Sequence, residues 1–282
     1  MTETKYQTTD TTVMILRIVY KNKERGTEIM KLCEKCGTPK ETKLPFEIKG
    51  KTKISCLCKC KLDKRKKENL RYKKQQDKYK SDACRNNNLF YKGITNKTFE
   101  NAKNYDEKIL NIAKRYANKF DLALENGYGL LLWGNLGAGK TFYSSCIANA
   151  VLNQNYTVMF TSASRLINEV QGIEFKFRRQ YISSLREYDL LIVDDLGTEK
   201  NTEDANDILY NIINERYICN LPLIVSTNYD YDFMRNTTEL NLKRIFDRVL
   251  EVCTPVQAKE SSTRIDVSKT KRQKFQKDIL GE

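Results

Sequence analysis

The stretch LLLWGNLGAGKTFYSS, residues 130–145, constrains the fold more than any other part of the chain. A short apolar run, Leu130–Trp133, leads into a glycine-rich turn and then into Phe142–Leu152, an apolar segment of helical length. That order fits a strand–loop–helix unit. Glycines at 134, 137 and 139 let the backbone turn tightly and aim successive N–H groups inward, and the helix adds the positive end of its dipole. G-x-x-x-x-G-K-T from Gly134 to Thr141 is the spacing of a phosphate-binding loop. Its nucleotide contacts would come from Gly134, Asn135, Leu136, Gly137, Ala138, Gly139, Lys140, Thr141 and Phe142. Lys140 would reach the β- and γ-phosphates of ATP, and the Thr141 hydroxyl would hold Mg²⁺.

Downstream, strand-like runs alternate with segments of helical spacing. YTVMF precedes a helix starting near Ser164, and EYDLLIVDDLG holds a buried strand. TEDANDILYNIINERYIC carries apolar Ile208, Leu209, Ile212 and Ile213; LPLIVSTN is a further strand and LNLKRIFDRVLEVC a further helix. This alternation predicts an α/β fold, a parallel sheet flanked by helices on both faces. Ligands of such sheets bind at the carboxyl ends of the strands, where the phosphate loop, Asp194 and Asn228 all fall.

LLIVDD places two carboxylates directly after a buried strand. Asp194 would coordinate Mg²⁺, usually through water, and Asp195 would polarise an attacking water. Asn228 is placed to hold that water or the γ-phosphate. Phosphoryl transfer builds charge on the equatorial oxygens, so a further cation is expected, often an arginine from a neighbouring subunit. RIFDR supplies Arg244 and Arg248 one helical turn apart, and Arg264 lies further on.

The chain has nine cysteines and no histidine, and five of the cysteines fall between residues 33 and 60. CEKC is a C-x-x-C knuckle, and KLPFEIKGKTKIS between it and CLCKC alternates around Lys49-Gly50 as a β-hairpin does. Two thiolate pairs brought together by a hairpin make the tetrahedral four-sulfur site that zinc prefers. Cys33 and Cys36 supply one pair. Spacing leaves open which two of Cys56, Cys58 and Cys60 complete it; the C-x-C pair Cys58 and Cys60 is preferred.

Length allows one sizeable α/β domain and a small appendage. No apolar run approaches the ~18 residues of a membrane span. The nearest, Val13–Tyr20, is short and interrupted by Arg17, which predicts a cytoplasmic protein with no membrane partner. Fifty basic against 36 acidic residues give a net charge of +14, a balance suited to nucleic acid or another polyanion. Residues 61–85 read as a basic helical linker with Tyr72 and Tyr79 interleaved, either a solvated helix or a surface for DNA or an acidic partner. The expected organisation is a cysteine module over 1–60, a basic helical linker over 61–100, an ATPase domain over 101–265 and a basic tail over 266–282.

The order GNLGAGKT, DLLIVDDLGTEK, ILYNIINERYICNLPLIVSTN and LKRIFDRVLEVC resembles the AAA+ ATPases of the bacterial helicase-loader family, the DnaC/DnaI-like proteins with an IstB-like ATP-binding core. GITNKTFENA is similar to that family's linker before the ATPase core, and CEKCGTP…CLCKC looks like its amino-terminal zinc module. The resemblance implies an AAA+ P-loop core with a small zinc-binding module. Gly134–Thr141 match Walker A, Asp194-Asp195 Walker B and Asn228 sensor I. Arg248 matches the finger acting in trans and Arg264 matches sensor II, although Thr263 stands where the family has an aromatic. EFKFRRQYISS fits the family's single-stranded DNA surface, with Lys176, Arg178 and Arg179 beside Phe175, Phe177 and Tyr181.

The function so implied is an ATPase that loads a hexameric replicative helicase onto single-stranded DNA, self-associating through its AAA+ interfaces. One rival is a transposition helper ATPase that binds duplex DNA and a transposase; relatives of that kind generally lack a zinc module. Another is a zinc adaptor whose nucleotide only stabilises the fold, which the complete set of Asp194, Asp195, Asn228 and arginines argues against.

Overall fold

The computed structural model describes residues 31–48, 51–87, 94–102, 105–198, 202–259, 272–273 and 275–280. Val13–Tyr20, Lys49-Gly50, Thr263 and Arg264 lie outside the described residues. Two compact units divide the chain, Met1–Lys73 and Lys74–Glu282.

In the first unit, β1 (Glu41–Ile48) pairs antiparallel with β2 (Lys51–Ser55), and Thr42 faces Ile54 in the register. A bridge between Leu32 and Pro39 closes the turn that carries Cys33 and Cys36. Helix α1 (Lys59–Asn87) begins within this unit, directly after Cys58.

The second unit is a five-stranded sheet in the order β4-β5-β6-β3-β7, with all neighbours parallel. Its strands are β3 (Gly129–Trp133), β4 (Val158–Ser162), β5 (Leu190–Leu196), β6 (Leu223–Thr227) and β7 (Cys253–Gln257). The helices are α2 (Glu107–Asn118), α3 (Phe120–Asn126), α4 (Lys140–Asn153), α5 (Ala163–Gln171), α6 (Phe175–Ser184), α7 (Glu203–Ile218), α8 (Tyr231–Asn236) and α9 (Leu240–Val252). Side-chain alternation along the strands divides the core in two. Leu130, Leu132, Ile192 and Ile224 meet Ile109, Phe120, Ile147 and Val151 on one face. Leu131, Leu191, Val193 and Val225 meet Leu166, Leu209, Ile212 and Phe246 on the other. β3, β5 and β6 are therefore buried on both sides, which is why they read as continuous apolar runs.

Helix starts follow the capping residues. Asp106 accepts from the Lys108 and Ile109 N–H groups, Ser162 from Arg165 and Thr202 from Ala205. Near the end of α1, Ser81 donates to the Leu152 carbonyl at 2.8 Å, and Cys84 is buried in the core. This part of the basic segment is anchored rather than solvated. β7 was not legible in the sequence: it is a short edge strand containing Pro255, a residue that only an edge tolerates, and Cys253 opens it instead of ending the preceding helix.

Arg216 is fully buried in α7 and donates to the carbonyls of Leu185, Tyr188, Asp189 and Pro222. Burial pulls its guanidinium down to about 10, and the four acceptors offset part of the lost hydration, with Nε left unpaired among the described residues. It ties the leading ends of β5 and β6 to the end of α7.

Candidate nucleotide site and cysteine centre

β3 delivers the chain into the loop at 134–139, and α4 carries it away. Gly134 has a φ of 136°, and a Cβ there would lie 2.2 Å from the Ala258 carbonyl oxygen. No other residue fits that position, because the Ala258 N–H also donates back to the Trp133 carbonyl at 2.7 Å. On the opposite side the Tyr105 ring lies flat on Phe142, with centroids 3.7 Å apart, and crowds Gly139. Phe142 is thus a buried support for the loop rather than an exposed surface, whereas Leu136 at the tip is 72% exposed.

Lys140, the first residue of α4, is buried. Its ammonium donates to the carbonyls of Gly134 at 2.7 Å and Asn135 at 2.8 Å, and to Asn228 Oδ1 at 2.7 Å. Next to it, Thr141 Oγ1 donates to Asp194 Oδ1 at 3.2 Å. Parallel pairing of β5 with β6, and of β6 with β3, brings residues 53 and 88 positions distant in sequence onto the same loop. A cavity of about 370 Å³ opens beside Asn135, Asn228 and Gln257.

Ser226 is the functional neighbour that sequence reasoning missed. Its hydroxyl donates to Asp194 Oδ1 and accepts the Asp195 N–H at 3.0 Å, so one side chain fixes the Asp194 carboxylate and the Asp195 backbone. The signal was its place two residues before Asn228 on the strand adjoining LLIVDD. β5 also gains one residue against β6 between Val193 and Leu196, and Asp195 there has a φ of 55°. This bulge turns Asp195 out of the strand alternation that Asp194 obeys. Asp194 is almost fully buried, and burial, aided by the Asp195 charge, raises its carboxyl above the usual range; the Ser226 and Thr141 hydroxyls act against the rise.

The residues fit a hard divalent cation. A hydroxyl and a carboxylate oxygen sit side by side, and oxygen is the donor such cations take.

The two candidate arginines lie on α9 against α7. Arg244 stacks over Tyr210 at 4.3 Å, and Arg248 over Tyr217 at 4.4 Å. Arg248 also pairs with Glu251 at 2.6 Å, and that carboxylate holds its guanidinium above the ordinary value. On α6 the expected DNA residues separate. Arg178 is tied to Asp204 Oδ1 at 3.1 Å and to the Ile173 and Gln171 carbonyls, and Tyr181 donates to Glu169. Phe175, Lys176, Phe177 and Arg179 are exposed.

The sulfurs of Cys33, Cys36, Cys58 and Cys60 all lie within 4.8 Å of one another. A tetrahedron with metal–sulfur bonds of about 2.3 Å has sulfurs about 3.8 Å apart, and the Cys33–Cys60 and Cys58–Cys60 separations of 3.6 and 3.3 Å approach this. Cys56 takes no part, since its thiol donates to the Pro39 carbonyl. The Thr38 hydroxyl helps hold the Cys36 thiol down to about 5, while its neighbours, Cys58 first, push Cys60 up to about 12. Four crowded sulfurs share protons in this way until a cation takes their place, so the donor set fits a thiophilic dication such as zinc.

A parallel sheet with a glycine loop at the end of β3, paired acids at the end of β5 and an asparagine after β6 defines a P-loop nucleotide-binding core of AAA+ type. The chain belongs to the IstB-like ATP binding protein family, whose model matches residues 68–273. The replicative helicase loader DnaI of Bacillus subtilis is 24% identical over 142 residues, 46% of this chain and 46% of DnaI. The ATP-binding protein Rv3427c of an insertion sequence in Mycobacterium tuberculosis is 32% identical over 108 residues, 37% of this chain and 42% of Rv3427c. The chain thus matches less than half the length of either relative. The crystal structure of the DnaC helicase loader is 21% identical with a TM-score of 0.49, covering 60% of this chain and 99% of that one. No helix among the described residues is long and apolar enough to cross a membrane.

Proposed function

We propose that the chain is an ATPase that loads a hexameric replicative helicase onto single-stranded DNA. The observation that carries the hydrolytic part is the joining of Lys140, Thr141, Asp194 and Asn228 at one loop. Lys140 exchanges its loop carbonyls for phosphate oxygens when ATP binds. Thr141 and Asp194 would hold Mg²⁺, whose charge would offset that of the phosphates. Asp195, set outward by the bulge, orients the attacking water, and Asn228, released from Lys140, holds that water or the γ-phosphate. Arg248 serves the neighbouring subunit, which requires it to leave Glu251, and Arg264 contacts the nucleotide of its own chain. The cysteine centre binds zinc and shapes the surface that holds the helicase.

The likeness to DnaI supports the loader reading, and so does the pairing of the P-loop core with a four-cysteine module. The second reading, a transposition helper acting on duplex DNA with a transposase, is favoured by the likeness to Rv3427c. Binding of the purified protein to single-stranded and duplex oligonucleotides in ATP and Mg²⁺ separates the two. A loader prefers the single strand and co-elutes with a purified hexameric helicase. A preference for duplex with no helicase complex supports the transposition reading.

A further inference from the structure

Charge in this protein is concentrated. Residues 31–87 hold nineteen basic and seven acidic residues, a net of +12 out of +14 for the whole chain, so the ATP-binding core is close to neutral. A dication held by four thiolates would carry a net charge near −2 and still leave the segment at about +10.

Part of this charge is gathered at one place. A cleft of about 600 Å³ lies between the Cys33–Cys60 side of the cysteine cluster and the first turns of α1. Lys35, Lys40, Lys61, Lys64 and Lys67 line it. Only Glu34 and Asp63 among the lining residues oppose them. Among the described residues the only ion pair these lysines make is the exposed one between Lys64 and Glu68, at 3.8 Å, which is worth little. Lys64, Lys67 and Arg71 follow i, i+3, i+7 spacing, so one face of α1 carries cations out of the cleft. Tyr72, next in sequence to Arg71 and on the flank of that face, is 66% exposed and offers a stacking surface.

We propose that this lysine-lined cleft and the adjoining face of α1 bind the phosphate backbone of nucleic acid, through residues other than those of α6. The proposal rests on the reading that the chain acts on DNA. Mobile lysines along a helix face suit a repeating phosphate chain, and the exposed tyrosine favours a single strand, whose bases are free to stack.

The test uses the full chain and labelled 30-mer oligonucleotides, single-stranded and duplex, across a salt series. Removing one cation that neutralises a phosphate should lower the log–log salt slope by roughly 0.7 on a single strand. The triple variant Lys64→Gln, Lys67→Gln, Arg71→Gln should therefore lower the slope by about 2, against about 0.7 for Arg179→Ala on α6. Metal content and nucleotide affinity on the same samples report folding; if the triple variant fails to fold, Lys67→Gln alone should cost about 0.7. A wild-type slope in a folded triple variant overturns the site while leaving DNA binding in place. A triple variant that no longer binds poly-glutamate, yet binds DNA as wild type does, also overturns it. Failure of the wild-type protein to bind either oligonucleotide overturns the site and the DNA reading together.

Discussion

Lys140 Nζ donates to Asn228 Oδ1 at 2.7 Å, joining the phosphate loop to the residue that follows β6. In the proposed mechanism phosphate oxygens take the place of Asn228 on Lys140. Asn228→Ala should bind labelled nucleotide within a few-fold of wild type. Phosphate release should fall roughly 10²- to 10³-fold, the scale for losing one transition-state hydrogen-bond group. Lys140→Ala should fail at the binding step instead.

Asp194 predicts a trade between stability and activity. Burial raises its carboxyl, so the folded state holds that proton more tightly than the unfolded chain does. Its stabilising contribution is present below the ordinary carboxylate range and is lost as pH rises through the folded value. Above that value the ionised, buried group opposes folding. Asp194→Asn should therefore raise the melting temperature of nucleotide-free protein, by about 2–4 °C for each 1 kcal/mol gained, while abolishing hydrolysis. A lower melting temperature would refute this account of the site.

The cysteine centre should contain about one zinc per chain in carefully purified protein. Cys36→Ser should lose the metal and, with it, helicase binding, while nucleotide affinity persists. Cys56→Ser should keep the metal, because that thiol is turned toward Pro39. Elemental analysis of the two variants checks both halves.

Arg248→Ala should bind ATP nearly normally yet hydrolyse it poorly, with the 10³- to 10⁵-fold effect of arginine fingers as the upper scale. Lys140→Ala keeps an intact finger for its neighbour. Mixing the two inactive proteins should restore part of the activity, increasingly with total concentration. No recovery would mean that the arginine acts within its own chain.

The chain announced its nucleotide loop because Gly134–Thr141 are consecutive, with Gly134 and Gly139 set by backbone geometry and Lys140 and Thr141 by the chemistry of phosphate and metal. Asp194, Asp195 and Asn228 were legible as strand-end residues. What joins them was not: Ser226 bridges the two acids only through the β5–β6 register, and the bulge at Asp195 depends on a residue count across two strands. The choice among Cys56, Cys58 and Cys60 stayed open in the sequence because it is made by one side-chain direction. Arg178 and Arg179 are neighbours with similar chemistry, yet one braces α6 against α7 and the other faces water, a distinction set by Asp204, 26 residues away.

On the proposed function, ATP turnover at this site places a helicase on single-stranded DNA. The decisive measurement incubates a purified hexameric replicative helicase with this protein and a closed single-stranded circle. The circle is annealed to a short labelled strand, with ATP supplied throughout, so no free end allows the helicase to thread on unaided. Release of the labelled strand should require this protein and be lost with Asp194→Asn or Arg248→Ala. Release that is equally fast without the protein, or undiminished by both variants, would contradict the proposed function.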